Sequence, residues 1–171
     1  MVTHEDLTRL AIRHLYGTRR CRVVVSERGG FEIPDALGWH VCSILIECKT
    51  SMGDFYADQK KPGRREATSF QGLGCERYYL TPPGLLKAEQ LPPRWGLLEA
   101  HGKRVYKKLP ASPQPAWNQA AEARILLKEL AEWHYYLCDY ERRVGHKPRK
   151  WEVFHEAFRW RNRHVLAQSG R

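Results

Sequence analysis

Residues 41–51 read Val-Cys-Ser-Ile-Leu-Ile-Glu-Cys-Lys-Thr-Ser, and they are the most informative stretch in a chain of 171 residues. The first eight form a nearly continuous apolar run, which is typical of a central strand covered on both faces. The run ends at Glu47 and Lys49, and two positions apart on a strand place both side chains on one face. Because a buried charge is costly unless it is paired or functional, this ending predicts an active site.

The flanking segments predict an α/β fold in which a helix precedes an antiparallel meander. Thr3 and Asp6 form a capping box for a helix over residues 2–16, which Gly17 closes. Ser51 is the N-cap of a second helix over residues 52–60. The remaining expected elements are strands at 21–26, 31–37 and 77–80, turns at 28–30 and 38–39, a helical turn at 82–86, and a hairpin of 95–100 with 104–107.

The chain divides, by its composition, into a domain at 1–108, a proline-rich linker at 109–115 and a basic, aromatic-rich helical tail at 116–171. The tail predicts a helical hairpin, with one helix ending near Gly145 and another starting at Pro148. The apolar face of its first helix consists of Leu126, Leu130, Trp133, Leu137, Tyr140 and Val144. The expected fold is therefore a mixed sheet with helices, followed by a C-terminal helical hairpin.

An aspartate stands at the second expected strand, twelve residues before Glu47. If these strands are antiparallel neighbours, Asp35 and Glu47 meet at one end of the sheet. Two carboxylates there can bind Mg²⁺, which polarises a phosphoryl oxygen and acidifies a bound water. Lys49 beside them can orient or deprotonate that water, or neutralise charge in the transition state. An ordinary surface ion pair is the alternative interpretation of Glu47 and Lys49.

The overall charge is positive, with 29 Lys and Arg against 19 Asp and Glu, or +10 at pH 7. Clustered cations bind polyanions by releasing counterions, so nucleic acid is one expected partner and a solvated basic surface is the alternative. The longest apolar stretch is too short and too often interrupted to span a membrane. The first twenty residues do not have the composition of a secretory signal, and the five cysteines contain no paired zinc motif. We therefore expect a cytoplasmic protein with free thiols.

Pro34-Asp35, then a strand, then Glu47-Cys48-Lys49 resembles the signature of the PD-(D/E)xK nuclease superfamily. Over residues 1–108 the chain is also similar to the small phage and bacterial DNA-repair-like nucleases of the MmcB-like group. The resemblance implies a restriction-endonuclease-like αβββαβ core that uses Mg²⁺, for which Mn²⁺ substitutes. It also implies site residues, namely Asp35 and Glu47 as metal ligands, the Cys48 carbonyl as a third, Lys49 as the catalytic lysine, and Glu5 as an added acid, with Glu32 as a weaker candidate. The alternative for Glu5 is an ordinary acid of the first helical turn, favoured there by the helix dipole.

Basic residues around this centre are expected to hold the nucleic-acid backbone without reading its sequence. They are Lys60, Lys61, Arg64 and Arg65 after the second helix, and Arg159, Arg161 and Arg163 in the tail, where Trp160 is a candidate for stacking on a base. Asp54 and Asp58 lie four residues apart on the second helix. We expect them on a solvated face, with Asp58 near Lys61, rather than in catalysis.

The sequence is compatible with three functions. The first is a Mg²⁺-dependent DNA endonuclease or nickase of phage or bacterial DNA processing, repair or defence, which is a dimer if each site cuts one strand. The second is a catalytically silent nucleic-acid-binding module with a nuclease fold. The third is an interaction subunit that docks a larger complex through its tail helices. The complete set of Asp35, Glu47 and Lys49 favours the first.

Overall fold

A computed structural model of the chain describes residues 2–27, 33–61, 64 and 72–147. Its helices are α1 (His4–Gly17), α2 (Met52–Gln59) and α3 (Gln119–Val144), with one 3₁₀ turn at Ala88–Gln90. Its strands are β1 (Val23–Val25), β2 (Ala36–Trp39), β3 (Ser43–Cys48), β4 (Glu76–Thr81), β5 (Gly96–His101) and β6 (Arg104–Leu109). The predicted capping box of Thr3 with Asp6 and the Ser51 N-cap are both present.

Within the described ranges, the six strands form one mixed sheet in the order β1-β2-β3-β4-β5-β6. The first three strands form the predicted antiparallel meander, β4 is parallel to both β3 and β5, and β6 returns antiparallel. Every residue of β3 is buried, as its apolar run predicted. The α/β class and the mixed sheet are therefore confirmed.

Two apolar cores lie on the two faces of the sheet, because successive residues of a strand point to opposite faces. The face of Ile44 and Ile46 packs with α1 through its buried residues Leu7, Leu10, Ala11 and Leu15. The face of Leu45 packs with Phe55 of α2, together with Tyr79 and Trp95. Glu47 shares the face of Leu45, so its side chain lies on the α2 side of the sheet.

The predicted turn at Gly38-Trp39 is wrong, since both residues lie in β2, paired with Ile44 and Ser43. Gly38 serves a close approach instead of a turn. A Cβ built there would lie 2.9 Å from Cys21 Sγ and 3.3 Å from Leu15 Cδ1. The reversal comes after the strand, where His40 N–H donates to the Cys42 carbonyl. Residues 82–85 form a turn, as expected, in which Leu85 N–H donates to the Pro82 carbonyl. It is not helical, because Gly84 has φ +73°, and the 3₁₀ turn at Ala88–Gln90 follows it.

The chain divides into two compact units, residues 1–125 and 126–171. This boundary falls later than the expected linker because residues 110–125 are fixed to the first unit. Ser112 N–H donates to the Arg94 carbonyl, and Gln114 N–H donates to the Cys75 carbonyl. The start of α3 is held as well, since Glu122 accepts a 2.7 Å hydrogen bond from Gly74 N–H.

The second unit contains the rest of α3, which ends at Val144 before Gly145 (φ +81°), as predicted. Its buried residues include Tyr136 and Tyr140, whereas Leu130 and Trp133 of the expected apolar face are exposed. The expected second helix, which starts at Pro148, lies outside the described residues. No helix in the described part of the chain is long and apolar enough to cross a membrane.

Candidate functional site

The site lies where β3 ends beside the start of β2. Ala36 is paired with Ile46, so the antiparallel register carries Asp35 toward Glu47. Lys49 follows β3 directly, and its Nζ lies 3.2 Å from Glu47 Oε2 and 3.9 Å from Asp35 Oδ2. The structure thus brings Asp35, Glu47 and Lys49 together, and all three are mostly or fully buried.

Asp35 ties the two strands together at this point. Its Oδ2 accepts a 2.7 Å hydrogen bond from the Cys48 backbone N–H and lies 3.3 Å from His4 Nε2. The Cys48 thiol is buried in the apolar core on the α1 side. In this geometry Cys48 therefore contributes its N–H to the site, and the use of its carbonyl as a metal ligand stays a prediction.

Glu5 is not where the resemblance places an added acid. It is highly exposed and forms an ion pair with Arg9, one turn further along α1. The preceding residue, His4, is the one that reaches Asp35. The N-terminus of α1 lies next to the site, as the resemblance implies. Which residue of its first turn reaches the site depends on how α1 packs on the sheet, and that residue is His4.

The expectation of a solvated Asp58 is wrong. Its side chain is 1% exposed, and Tyr79 OH donates a 2.8 Å hydrogen bond to its Oδ2. Its Oδ1 lies 3.5 Å from Lys49 Nζ and 2.9 Å from Lys61 Nζ, so the expected contact with Lys61 is present. Phe55, three residues before Asp58, is the signal that could have located it, because an apolar residue at this spacing marks the buried face of a helix. Asp54 is exposed, as expected.

Arg64 also differs from expectation, because its side chain is 1% exposed and is not presented to a phosphate backbone. Its Nη2 donates a 2.9 Å hydrogen bond to Glu47 Oε1, and its Nε lies 3.0 Å from Asp58 Oδ2. The guanidinium also lies over the Trp95 ring, 5.3 Å from its centroid. Burial of an arginine with two carboxylates follows from tertiary packing, and nothing in the local sequence indicates it.

The other candidate cations are placed differently. Lys60 and Lys61 are exposed at the end of α2, beside the buried cluster. Glu32, Arg65, Arg159, Arg161 and Arg163 lie outside the described residues, as does Trp160. Among the described residues, Lys60 and Lys61 are therefore the exposed candidates for binding phosphate.

The ionisation of the site follows from burial opposed by charge. Burial raises the pKa of Glu47 to about 7 and Asp35 acts in the same direction, whereas Arg64 and Lys49 oppose the shift. Burial disfavours the Lys49 ammonium, but Glu47, Asp58 and Asp35 together raise the pKa of Lys49 above its ordinary value. Burial likewise disfavours ionised Asp58, but Arg64 and Lys49 hold the pKa of Asp58 below its ordinary value. Lys49 is consequently an ammonium at neutral pH, suited to stabilising negative charge rather than to accepting a proton.

The carboxylate oxygens of Asp35 and Glu47 are hard donors of the kind that Mg²⁺ prefers, so the donor set fits this ion in type. Both oxygens of Glu47, however, are already next to cations, Oε1 next to Arg64 and Oε2 next to Lys49. Among the residues the structure describes, no three His, Cys, Asp or Glu side chains are grouped so that they could hold a metal ion. A divalent cation would therefore have to compete with an arginine or a lysine for Glu47.

The fold has a solved counterpart. The structure is similar to that of the SPO1766 protein of unknown function from Silicibacter pomeroyi, with a TM-score of 0.57 and 24% sequence identity. The similarity covers 84% of this chain and 94% of that chain. It extends to the fold alone. No family model matches the sequence, and no curated protein matches it.

Proposed function

We propose that this protein is a Mg²⁺-dependent nuclease that hydrolyses DNA phosphodiester bonds. The observation that carries the proposal is the convergence of Asp35 and Glu47 on one lysine ammonium at the end of a buried central strand. The order α1-β1-β2-β3-α2-β4, with β4 parallel to β3, is the order of a restriction-endonuclease-like core. This order supports the proposed membership of the PD-(D/E)xK superfamily.

Asp35 and Glu47 would hold the metal ion, which supplies Lewis acidity toward the phosphoryl group and lowers the pKa of a water ligand. Lys49, held as an ammonium by the surrounding carboxylates, stabilises the negative charge that develops on the phosphoryl oxygens. Asp35 also joins β2 to β3 through the Cys48 N–H, which fixes its carboxylate beside Glu47.

The substrate is DNA, held through its backbone. Lys60 and Lys61 are exposed next to the site and can neutralise phosphates on either side of the scissile bond. Arg65, Arg159, Arg161 and Arg163 complete the proposed phosphate contacts. Binding of this kind is sequence-independent and weakens steeply as salt is added.

The ion pairs at Glu47 favour a second candidate function, a DNA-binding module that keeps the nuclease fold without catalysis. In such a protein Arg64 and Lys49 would replace the metal permanently, leaving Glu47 with both oxygens paired. This candidate predicts DNA binding that does not depend on divalent cations.

A cleavage assay separates the two candidates. Wild-type protein is incubated with supercoiled plasmid, linear duplex, flapped and single-stranded DNA, and RNA, each with Mg²⁺, Mn²⁺ or EDTA. The proposal predicts metal-dependent cleavage of at least one DNA that Asp35→Asn abolishes and the exposed control Asp54→Asn retains. DNA binding without cleavage of any substrate would refute the nuclease and support the binding module.

A further inference from the structure

Resting on the proposed function, we infer that Arg64 is the resident counter-ion of Glu47 and that a divalent cation binds to Asp35 and Glu47 by displacing it. Arg64 then opposes metal binding, and an empty site is kept closed by an internal ion pair. In this arrangement Arg64 is the counter-ion that a metal displaces, and Asp58 is the carboxylate that keeps Arg64 paired afterwards.

The first step is that each oxygen of Glu47 already lies next to a cation. Its side chain is 1% exposed, with Arg64 Nη2 2.9 Å from Oε1 and Lys49 Nζ 3.2 Å from Oε2. Mg²⁺ binds its oxygen ligands at about 2.0–2.1 Å. A metal ion at that distance from a Glu47 oxygen would lie beside the cation already there, and the repulsion between them favours withdrawal of one of the two side chains.

The second step is that Arg64 is the cation better placed to withdraw. Lys49 follows β3 directly, and its Nζ lies within 3.9 Å of all three carboxylates. Arg64 contacts Glu47 through Nη2. The same Nη2 lies 3.5 Å from Asp58 Oδ1, and its Nε lies 3.0 Å from Asp58 Oδ2. A rotation that releases Glu47 therefore leaves the ion pair with Asp58 in place, and Arg64 need not become an unpaired buried charge.

The third step is charge balance. Three carboxylates meet three cations here, so the cluster is already balanced. The carboxylates are Asp35, Glu47 and Asp58, and the cations are Lys49, Arg64 and Lys61. A divalent cation added at Asp35 and Glu47 with Arg64 still on Glu47 would place like charges side by side in a poorly solvated region. The repulsion is strong there, because Coulomb interactions grow as the effective dielectric falls. Metal binding and the Arg64–Glu47 contact therefore oppose each other.

The test measures Mn²⁺ binding from the electron paramagnetic resonance signal of free Mn²⁺, with the full chain and no DNA. Arg64→Met removes the charge but keeps an apolar side chain of similar length against Trp95, while Lys49, Lys61 and Tyr79 still contact Asp58. We expect Arg64→Met to bind Mn²⁺ at least about fivefold more tightly than wild type, the lower end of typical coupling between two sites. Arg64→Lys, which keeps a cation, should stay nearer the wild-type affinity, and Asp54→Asn should equal it. Equal or weaker Mn²⁺ binding by a folded Arg64→Met would overturn the inference.

A second measurement uses wild-type protein and does not depend on a variant that folds. The Arg64 Nε–H resonance, assigned by its loss in Arg64→Lys, is followed by ¹⁵N NMR during a titration with Mg²⁺. We expect it to shift as Mg²⁺ saturates the protein, and an unmoved resonance at saturation would contradict displacement. Wild-type protein that binds Mg²⁺ and cleaves DNA with Arg64 unmoved would reject this inference and leave the nuclease intact. A protein that neither binds Mg²⁺ nor cleaves would reject both.

Discussion

Asp58 shows how a single buried carboxylate organises the site. It contacts Tyr79, Lys49, Arg64 and Lys61, and these four partners replace the water that burial removes. Three of the four are cations, which is why the pKa of Asp58 is held low in spite of its burial. Its negative charge in turn helps to keep Lys49 protonated.

Asp58→Asn should therefore reduce the free energy of unfolding by about 3 kcal/mol at pH 7, the cost of breaking a buried ion pair. Because the folded state lowers the pKa of Asp58, its stabilising contribution is present above the ordinary aspartate range. It is lost as the pH falls through the lowered pKa. Urea denaturation from pH 7 down to pH 3 measures both effects. At the exposed Asp54, the change to Asn should lower the free energy of unfolding by less than about 1 kcal/mol. Equal losses in the two variants would show that the buried ion pairs of Asp58 do not stabilise the fold.

Part of this site could be predicted from the sequence, because its information is local. Glu47 and Lys49 end an apolar run, and a meander carries Asp35 to them through antiparallel pairing. Burial of Arg64 and Asp58 depends instead on the path of the chain after α2 and on how that helix meets Tyr79 and Trp95. No periodicity encodes such contacts. The proximity of His4 to Asp35 likewise depends on how α1 is placed on the sheet.

At the level of whole elements, α1 and β2 approach closely because Gly38 of β2 has no side chain. Gly38 lies in β2 against Cys21 and Leu15, and an added Cβ would be only 3.1 Å from Cys21 Cβ. The sequence assignment failed here because glycine marks both turns and close approaches, and only the packing distinguishes them. The expected strand at 31–37 overlaps β2 only at Ala36 and Leu37, whereas the strands at 41–48 and 77–80 were predicted within a few residues.

Gly38→Ala should accordingly destabilise the protein by about 1–3 kcal/mol, the usual cost of overpacking a core. Guanidinium denaturation provides the measurement, and Cys21→Ala in the same chain should restore part of the loss by removing the sulfur atom. Gly17→Ala is the matched control, since a Cβ there has nothing within 4 Å. A Gly38→Ala protein as stable as Gly17→Ala would show that α1 is not held this closely.

At the scale of the whole molecule, residues 110–125 belong to the first unit, although their prolines resemble a linker. Glu122 holds this segment, because it is buried and accepts hydrogen bonds from Gly74 N–H and from Trp39 Nε1. Composition alone could not show this attachment, since the accepting carboxylate and its donors are far apart in sequence. The boundary between the two compact units lies after Ile125, where packing sets it, and not in the proline-rich segment.

Glu122→Ala should lower the free energy of unfolding by about 1–3 kcal/mol, because it leaves the buried Gly74 N–H without its acceptor. Glu122→Gln keeps an acceptor oxygen of the same reach and should lose clearly less. Thermal unfolding of the three proteins gives the comparison. Equal losses for alanine and glutamine would show that charge, rather than the hydrogen bond to Gly74, holds the segment.

In the proposed nuclease, Asp35 and Lys49 act within one catalytic centre. The initial rate of plasmid nicking with Mg²⁺ is compared for wild type, Asp35→Asn, Lys49→Met and the double variant. Each single change should reduce the rate by at least about 10²-fold, and the double variant should be little slower than either single one, because residues that act as a unit are not additive. Losses that multiply, or nicking that persists in either single variant, would contradict a shared centre.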